Sequence, residues 1–203
     1  MARRSDHSRA ELTAMILSEG HRQLAEVGYA HFSARELAKR IGYSVGTLYN
    51  VFGSLDQLML GLNGVTLTAW RSYLETRLLL AEEDRLKIAI SAYFEFAILN
   101  RHAWTALYDF RLPDDVLAPE DYKNKVKAIF DVVIAEIAAV LTSDQRDHAP
   151  ALARSLLASV HGHCFFTIND TFAFLGEEDP LGAAYARVVE AIAACNASGM
   201  ESG

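Results

Sequence analysis

Cysteine is scarce: the 203 residues hold two, Cys164 and Cys195. That is too few for a disulfide framework, so cohesion must come from an apolar core, with both thiols reduced and packed as small hydrophobes. Long unbroken apolar runs are missing too. The most apolar stretch, Ser155 to Leu175, contains His161, His163, Asn169 and Asp170, groups that are costly inside a bilayer, so no membrane span is expected. The amino end is charged, and Glu11, Glu19 and Arg22 interrupt the first apolar pattern, unlike a secretion signal. These absences point to the cytoplasm and leave the Asn196-Ala-Ser198 sequon without meaning. Strand-like alternation, internal repeats and low-complexity tracts are absent as well, which excludes folds built on a sheet.

Catalytic and metal signatures are equally thin. No P-loop, H-E-x-x-H or C-x-x-C occurs, so neither an enzyme nor a cofactor or metal site is expected. Gly42-Tyr43-Ser44-Val45-Gly46 matches the G-x-S-x-G nucleophile elbow. That elbow needs a strand before its serine, and a helical pattern precedes this one. His161 and His163 stand two residues apart, a spacing that turns them to different sides of a helix.

Positive charge is in short supply overall, with a formal net charge of −7, which at first argues against nucleic acid. Its distribution points the other way. Residues 1–55 carry seven Lys and Arg against five acids, a net charge of +2, which leaves −9 for the rest. A mildly basic head on an acidic body suits a small DNA-contacting module joined to a region with another task.

What is present is centred on Ser33 to Phe52. Ser33 and Glu36 have capping-box spacing. Ala34, Leu37, Ala38 and Ile41 recur at the interval of one buried helix face, and Gly42 supplies the stop. Ser44 can cap a second helix whose apolar edge is Leu48 and Phe52. Two short helices around a tight glycine turn form a helix-turn-helix outline, in which the second helix enters the major groove by its first residues. Those residues, Ser44, Val45, Gly46 and Thr47, are small enough for close backbone approach.

The stretch GYSVGTLYNVFGSLDQL resembles the signature of TetR-family transcriptional regulators. Gly46, Thr47, Leu48, Tyr49, Phe52, Ser54 and Leu58 carry the likeness, which covers about residues 10 to 60. Val51 stands where the family often has histidine. Leu55 replaces the usual lysine, which commonly holds a phosphate. The resemblance implies a dimeric DNA-binding regulator with an inducer site in its body, more commonly a repressor than an activator.

The remaining chain reads as helices throughout. The first spans Arg9 to Val27 and is ended by Gly28, with Tyr29 and Phe32 plugging the small core. Others run over Leu55–Ala81, Arg85–Asn100, Trp104–Leu112, Glu120–Leu141, Ala149–Leu175 and Leu181–Ala197, with PDDVLAPED as the clearest loop. The expected fold is all-α with about nine helices. A three-helix helix-turn-helix DNA-binding domain occupies residues 9–58, and a helical ligand-binding and dimerisation domain occupies residues 59–200. Gly61 and Gly64 in the fourth helix serve either close packing or a soft joint.

Candidate DNA contacts are Ser33, Arg35, Tyr43, Ser44, Val45, Gly46, Thr47, Tyr49 and Asn50. Thr47 offers a hydroxyl to phosphate or a base edge and a methyl to thymine, and Asn50 can read adenine. Tyr49 offers its hydroxyl to phosphate. Val45 either packs inward or meets a thymine methyl. Ser33, Arg35, Tyr43 and Ser44 suit backbone contacts at helix N-termini. Lys39 and Arg40 are expected to solvate the outer face, and Arg3 and Arg4 to form an arm that reaches a minor groove or stays free. The aromatics of the middle helices suggest an apolar small-molecule pocket, with Trp70, Tyr93, Phe96, Trp104, Tyr108, Phe130, His161, Phe165 and Asn169 as candidates. The Ala149–Leu175 helix is apolar nearly all round and needs cover on all sides. The alanine-rich last helix allows close approach. Either both lie in an intramolecular core or they pair two chains, with Phe166, Tyr185, Val188, Val189 and Ile192 at a homodimer interface. Two heads on a dyad would read a palindromic double-stranded operator.

Overall fold

The computed structural model describes residues 7–200 except Asp115; Arg3 and Arg4, the expected arm, lie outside the described residues. Among those residues there are ten α-helices and no strand. The helices are α1 (Arg9–Val27), α2 (Ala34–Arg40), α3 (Val45–Phe52), α4 (Leu55–Leu79), α5 (Arg85–Leu99), α6 (Arg101–Asp109), α7 (Glu120–Val140), α8 (Ala149–Ile168), α9 (Thr171–Leu175) and α10 (Pro180–Met200).

The expected ninefold count rises to ten because the long helix over 149–175 breaks. Asp170 takes φ +56, a left-handed conformation that Asp tolerates better than most residues. Asn169 N and Asp170 N close α8 by donating to Phe165 O and Thr167 O, and α9 starts afresh. The Asn-Asp pair is the sequence signal for that break.

The chain divides into two compact units, Met1–Ala69 with Asn100–Lys125, and Trp70–Leu99 with Val126–Gly203. The first, the head, holds α1 to α3, the start of α4, and α6. Its entry is fixed by a full capping box: Ser8 Oγ accepts from Glu11 N at 3.3 Å, and Ser8 N donates to Glu11 Oε2 at 2.8 Å. At Ser33 only half of the expected box forms. Ser33 Oγ accepts from Glu36 N, while the Glu36 carboxylate turns to Arg40. Ile16, Leu24, Leu37, Leu48, Leu58 and Leu62 are fully buried in this core, with Ala106 and Phe110 joining it; Tyr29 and Phe32 pack against it as expected. Close packing explains Gly61, where a Cβ would stand 3.0 Å from Leu17 Cδ2 and 3.1 Å from Phe52 Cε1.

The second unit, the body, stacks α5, α8 and α10 on one another. α8 buries Ala153, Leu156, Val160, Cys164 and Ile168 along one stripe, while Phe165 and Phe166 stay exposed. Burial pushes the Cys164 thiol up to about 12, which leaves it an inert packing group. Among the described residues no helix is long and apolar enough to cross a membrane.

Candidate nucleic-acid interface and ligand cavity

The helix-turn-helix is held by its own backbone chemistry. Gly42 takes φ +76, Tyr43 N donates to Ala38 O at 2.8 Å, and Gly42 N donates to Lys39 O at 3.2 Å. These are the two bonds of a Schellman stop. Ser44 then caps α3: its Oγ accepts from Thr47 N at 3.1 Å and lies 2.9 Å from Thr47 Oγ1. Leu48 is fully buried, and Val45, Val51 and Phe52 pack against the same core. Val45 is therefore turned inward. That leaves Ser44, Gly46, Tyr49 and Asn50 exposed and Thr47 half-buried. Around them, Tyr43 sets its hydroxyl 2.8 Å from His7 Nδ1. Ser33 caps α2, and Arg35 is exposed with no ion pair among the described residues.

Arg40 departs from the expected solvated role. Its Nη1 lies 2.7 Å from Glu26 Oε2 and 3.4 Å from Glu19 Oε1, and its Nε lies 3.3 Å from Glu36 Oε1. The hydrogen bond that Arg40 donates to Glu26 leads in raising its pKa. Arg40 thus ties α2 to α1 and is neutralised within the head, whereas Lys39 stays 81% exposed.

The body holds a cavity of about 70 Å³, partly open to solvent and walled by α4, α5, α7, α8 and α10, room for roughly five water-sized groups. The wall is almost wholly apolar. Trp70, Leu74, Leu78, Leu86, Ala89, Ile90, Val132, Val133, Ile137, Leu156, Leu157, Val160 and Val188 line it, together with Tyr93 and Glu136. Tyr93 sets its hydroxyl 2.9 Å from His161 Nδ1, and burial lowers the His161 pKa. Glu136 is 14% exposed and is gripped by Arg85 at 2.8 and 2.7 Å, while Arg85 Nη1 donates to Leu78 O at 2.7 Å.

Against this geometry stand the comparisons. Residues 16–62 match the family described as bacterial regulatory proteins, tetR family. Residues 86–192, more than half of the chain, match the tetracyclin repressor-like C-terminal domain. The chain belongs to the TetR family. It is accordingly a DNA-binding transcriptional regulator, of a kind that is not enzymatic. A protein of unknown function from Rhodococcus sp. RHA1 superposes with a TM-score of 0.71 at 20% identity, over 93% of this chain and 97% of that one. The multidrug binding protein EbrR, complexed with imidazole, gives 0.62 at 19% identity, over 92% and 96%. A TetR-family transcription regulator from Shewanella sp. PV-4 gives 0.61 at 13% identity, over 92% and 98%. At these identities the likeness concerns the fold. No curated protein matches the chain.

Within this TetR-family body the expected ligand residues scatter. Trp70 and Tyr93 line the cavity. Phe96 stacks behind Trp70 at 5.3 Å, and His161 stands one hydrogen bond back through Tyr93. Phe130, Phe165 and Asn169 are not in its wall. Phe165 is 43% exposed, and Asn169 donates to Phe165 O at the exposed end of α8. Trp104 and Tyr108 belong to the head unit, their rings 5.7 Å apart. Of the expected interface residues, Phe166 and Val189 are exposed, whereas Val188 and Ile192 are buried in the body and Tyr185 donates to Asp84. Sequence reasoning missed Glu136 and Arg85, and with them the aliphatic wall. The available signal was a lone carboxylate four residues after Val132 and three after Val133, on an otherwise apolar stripe.

Proposed function

We propose that this TetR-family regulator acts in the cytoplasm as a homodimeric repressor. It sits on a palindromic operator and is released by a small, mostly apolar or aromatic inducer held in the body. The observation that carries the reading is the partly open, almost wholly apolar cavity with Trp70 and Tyr93 in its wall. An apolar hollow with few polar fixtures is the usual form of a small-ligand site. Residues 9–58 read DNA, and residues 59–200 hold ligand and partner. Pairing is supported by the aromatic and aliphatic groups that one chain leaves exposed on α8 and α10, Phe165, Phe166 and Val189. An inducer acts by favouring a body conformation in which the two heads no longer match the half-sites, which requires different affinities for the two states.

At the DNA, Thr47 contributes to base selection and Tyr49 to phosphate. Arg35, Tyr43, Ser33 and Ser44 support the backbone, and Gly46 and Asn50 lie at the groove. Binding to DNA from the chain's own upstream region is compared with binding to random DNA at one fixed salt concentration, since salt shifts both. Thr47→Ala should weaken specific binding about tenfold and spare random binding, while Tyr49→Phe weakens both. Equal, small losses for the two variants would refute the assignment. Failure of any apolar compound to release the bound DNA would remove the inducer.

A further inference from the structure

Residues 41–70 contain no lysine or arginine, so α3 and the start of α4 bring no positive charge of their own to DNA. The cations around them are unequally placed. Arg22 is held by Glu19 at 2.6 Å and Glu26 at 3.6 Å, and Arg40 by Glu26, Glu36 and Glu19. Lys39 stands 4.0 Å from Glu36. Arg9 and Arg35 are exposed, with no ion pair among the described residues. Arg9 differs from Arg35 in being fastened to α3: its Nη2 donates to Val51 O at 3.1 Å. Val51 is the last residue but one of α3, so its carbonyl is among the four that a helix leaves without an internal partner. That bond takes one of the five N–H donors of a guanidinium, and the charge stays exposed.

A second contact fixes the direction of this segment. His7 Nδ1 lies 2.8 Å from the hydroxyl of Tyr43, in the turn that precedes α3. His7 and Arg9 thus touch the α3 segment before its start and near its end, and the amino end of α1 runs along its flank. The acid closest in sequence is already engaged: Glu11 Oε2 accepts from Ser8 N and from Ser8 Oγ, both at 2.8 Å. On the other side of Val51, Leu55 is exposed and uncharged.

Affinity for DNA comes largely from cations set on phosphates. A helix with its side chains is about 10–12 Å across, and the major groove is about 12 Å wide. A helix seated there fills the groove, so a cation carried on its flank meets the phosphates of the groove wall rather than base edges. We infer that Arg9, held on the Val51 carbonyl, is a phosphate contact that supplies the charge α3 lacks. This placement rests on the reading of α3 as the helix that enters the groove. The contact fixes the position of α3 and carries no sequence information.

Affinity of the full-length protein for a mixed-sequence duplex is measured over a range of salt concentrations. Each phosphate contact contributes about 0.9 to the slope of log affinity against log salt. Arg9→Gln should make that slope shallower by about 0.9 for each head on the DNA. Arg9→Lys, which keeps the charge, should restore it. Arg22→Gln removes the same charge from a site already held by two glutamates and should leave the slope as it is. Tyr49→Phe loses a neutral donor and should weaken binding at every salt concentration with the slope intact. If Arg9 only capped α3, Arg9→Gln would lower affinity without changing the slope. That result, an equal loss of slope in Arg22→Gln, or a slope that Arg9→Lys does not restore, overturns the phosphate contact while leaving α3 in the groove. Unaltered affinity in Tyr49→Phe overturns instead the placement of α3 itself.

Discussion

The two units of this chain build helical cores in opposite ways. The head includes two short helices, seven residues in α2 and eight in α3, too short to be stable alone. They are fixed locally by the Ser33 and Ser44 caps and the Gly42 stop, with the Ser8 box at the start of α1, while Arg40 ties α2 back to α1. The head's interior is tight, with no room for a Cβ at Gly20, and it includes polar ties as well. His21 Nε2 lies 3.0 Å from Thr66 Oγ1, and Asn63 Nδ2 donates to Ala106 O. The body uses longer helices held chiefly by aliphatic contact, with the Arg85–Glu136 and Tyr93–His161 pairs as its polar links at the cavity, and it leaves space unfilled. A surface that must match the spacing of bases gains from being over-determined. A sensor that must admit a molecule gains from a core with room in it.

That contrast can be broken most severely at Leu48, which anchors α3. Leu48→Ala should lower stability by about 3 kcal/mol, read as a fall in the denaturant midpoint, and abolish DNA retardation. Amide exchange should quicken in α1 to α3 and stay slow in α5, α8 and α10. Equal loss of protection in both units would show that they melt as one, and the contrast would then concern packing alone.

How much of this was legible follows the same division. The head was readable because local chemistry fixes it: caps, a glycine stop and a short apolar period each leave a mark within a few residues. Helix bounds there were read almost to the residue. What escaped was long-range. Nothing near Arg40 shows that Glu19 and Glu26, on another helix, will surround it. The recruitment of α6 to the head core, through Ala106 and Phe110, depends on contacts far apart in the chain. In the body, helices were legible and the cavity wall was not. Reading by aromatic content favoured Trp104 and Tyr108, which the fold places in the other unit. It passed over Val132, Val133 and Leu157, which look like any core aliphatic until the helices are assembled.

Adding one carbon to each core sharpens the comparison. In the body, Val132→Ile places a methylene into existing space and should stabilise by about 0.8 kcal/mol, while weakening the binding of a small apolar compound in the cavity. In the head, Gly20→Ala would set a Cβ 2.8 Å from Leu62 Cδ2 and 3.2 Å from Leu37 Cδ2, and both leucines are fully buried. Overpacking there should outweigh the better helix propensity and leave a net loss of about 1 kcal/mol. Thermal unfolding of the two variants reads both signs. A stabilised Gly20→Ala protein would mean that the head is no more closed than the body.

The smallest effect appears only in acid, where each unit has one half-buried histidine facing a hydroxyl: His21 beside Thr66 and His161 beside Tyr93. Burial lowers the pKa of both below the ordinary 6.5, so folding favours neutral imidazole. The unfolded chain then binds the extra protons first, and stability rises with pH across the interval between the two values. It is complete above about 6.5, falls as the solution is acidified below that, and stops falling once the folded-state pKa is passed. A neutral replacement removes the proton-linked term without removing a polar group. His21→Gln should therefore flatten the acid loss of amide protection in α1 and α4 of the head. His161→Gln should flatten it in α5 and α8 of the body, with each variant leaving the other unit's pH dependence in place. If either substitution flattened both units together, proton binding at one would be coupled to folding of the other, and the head could not be treated as an independently fixed reader.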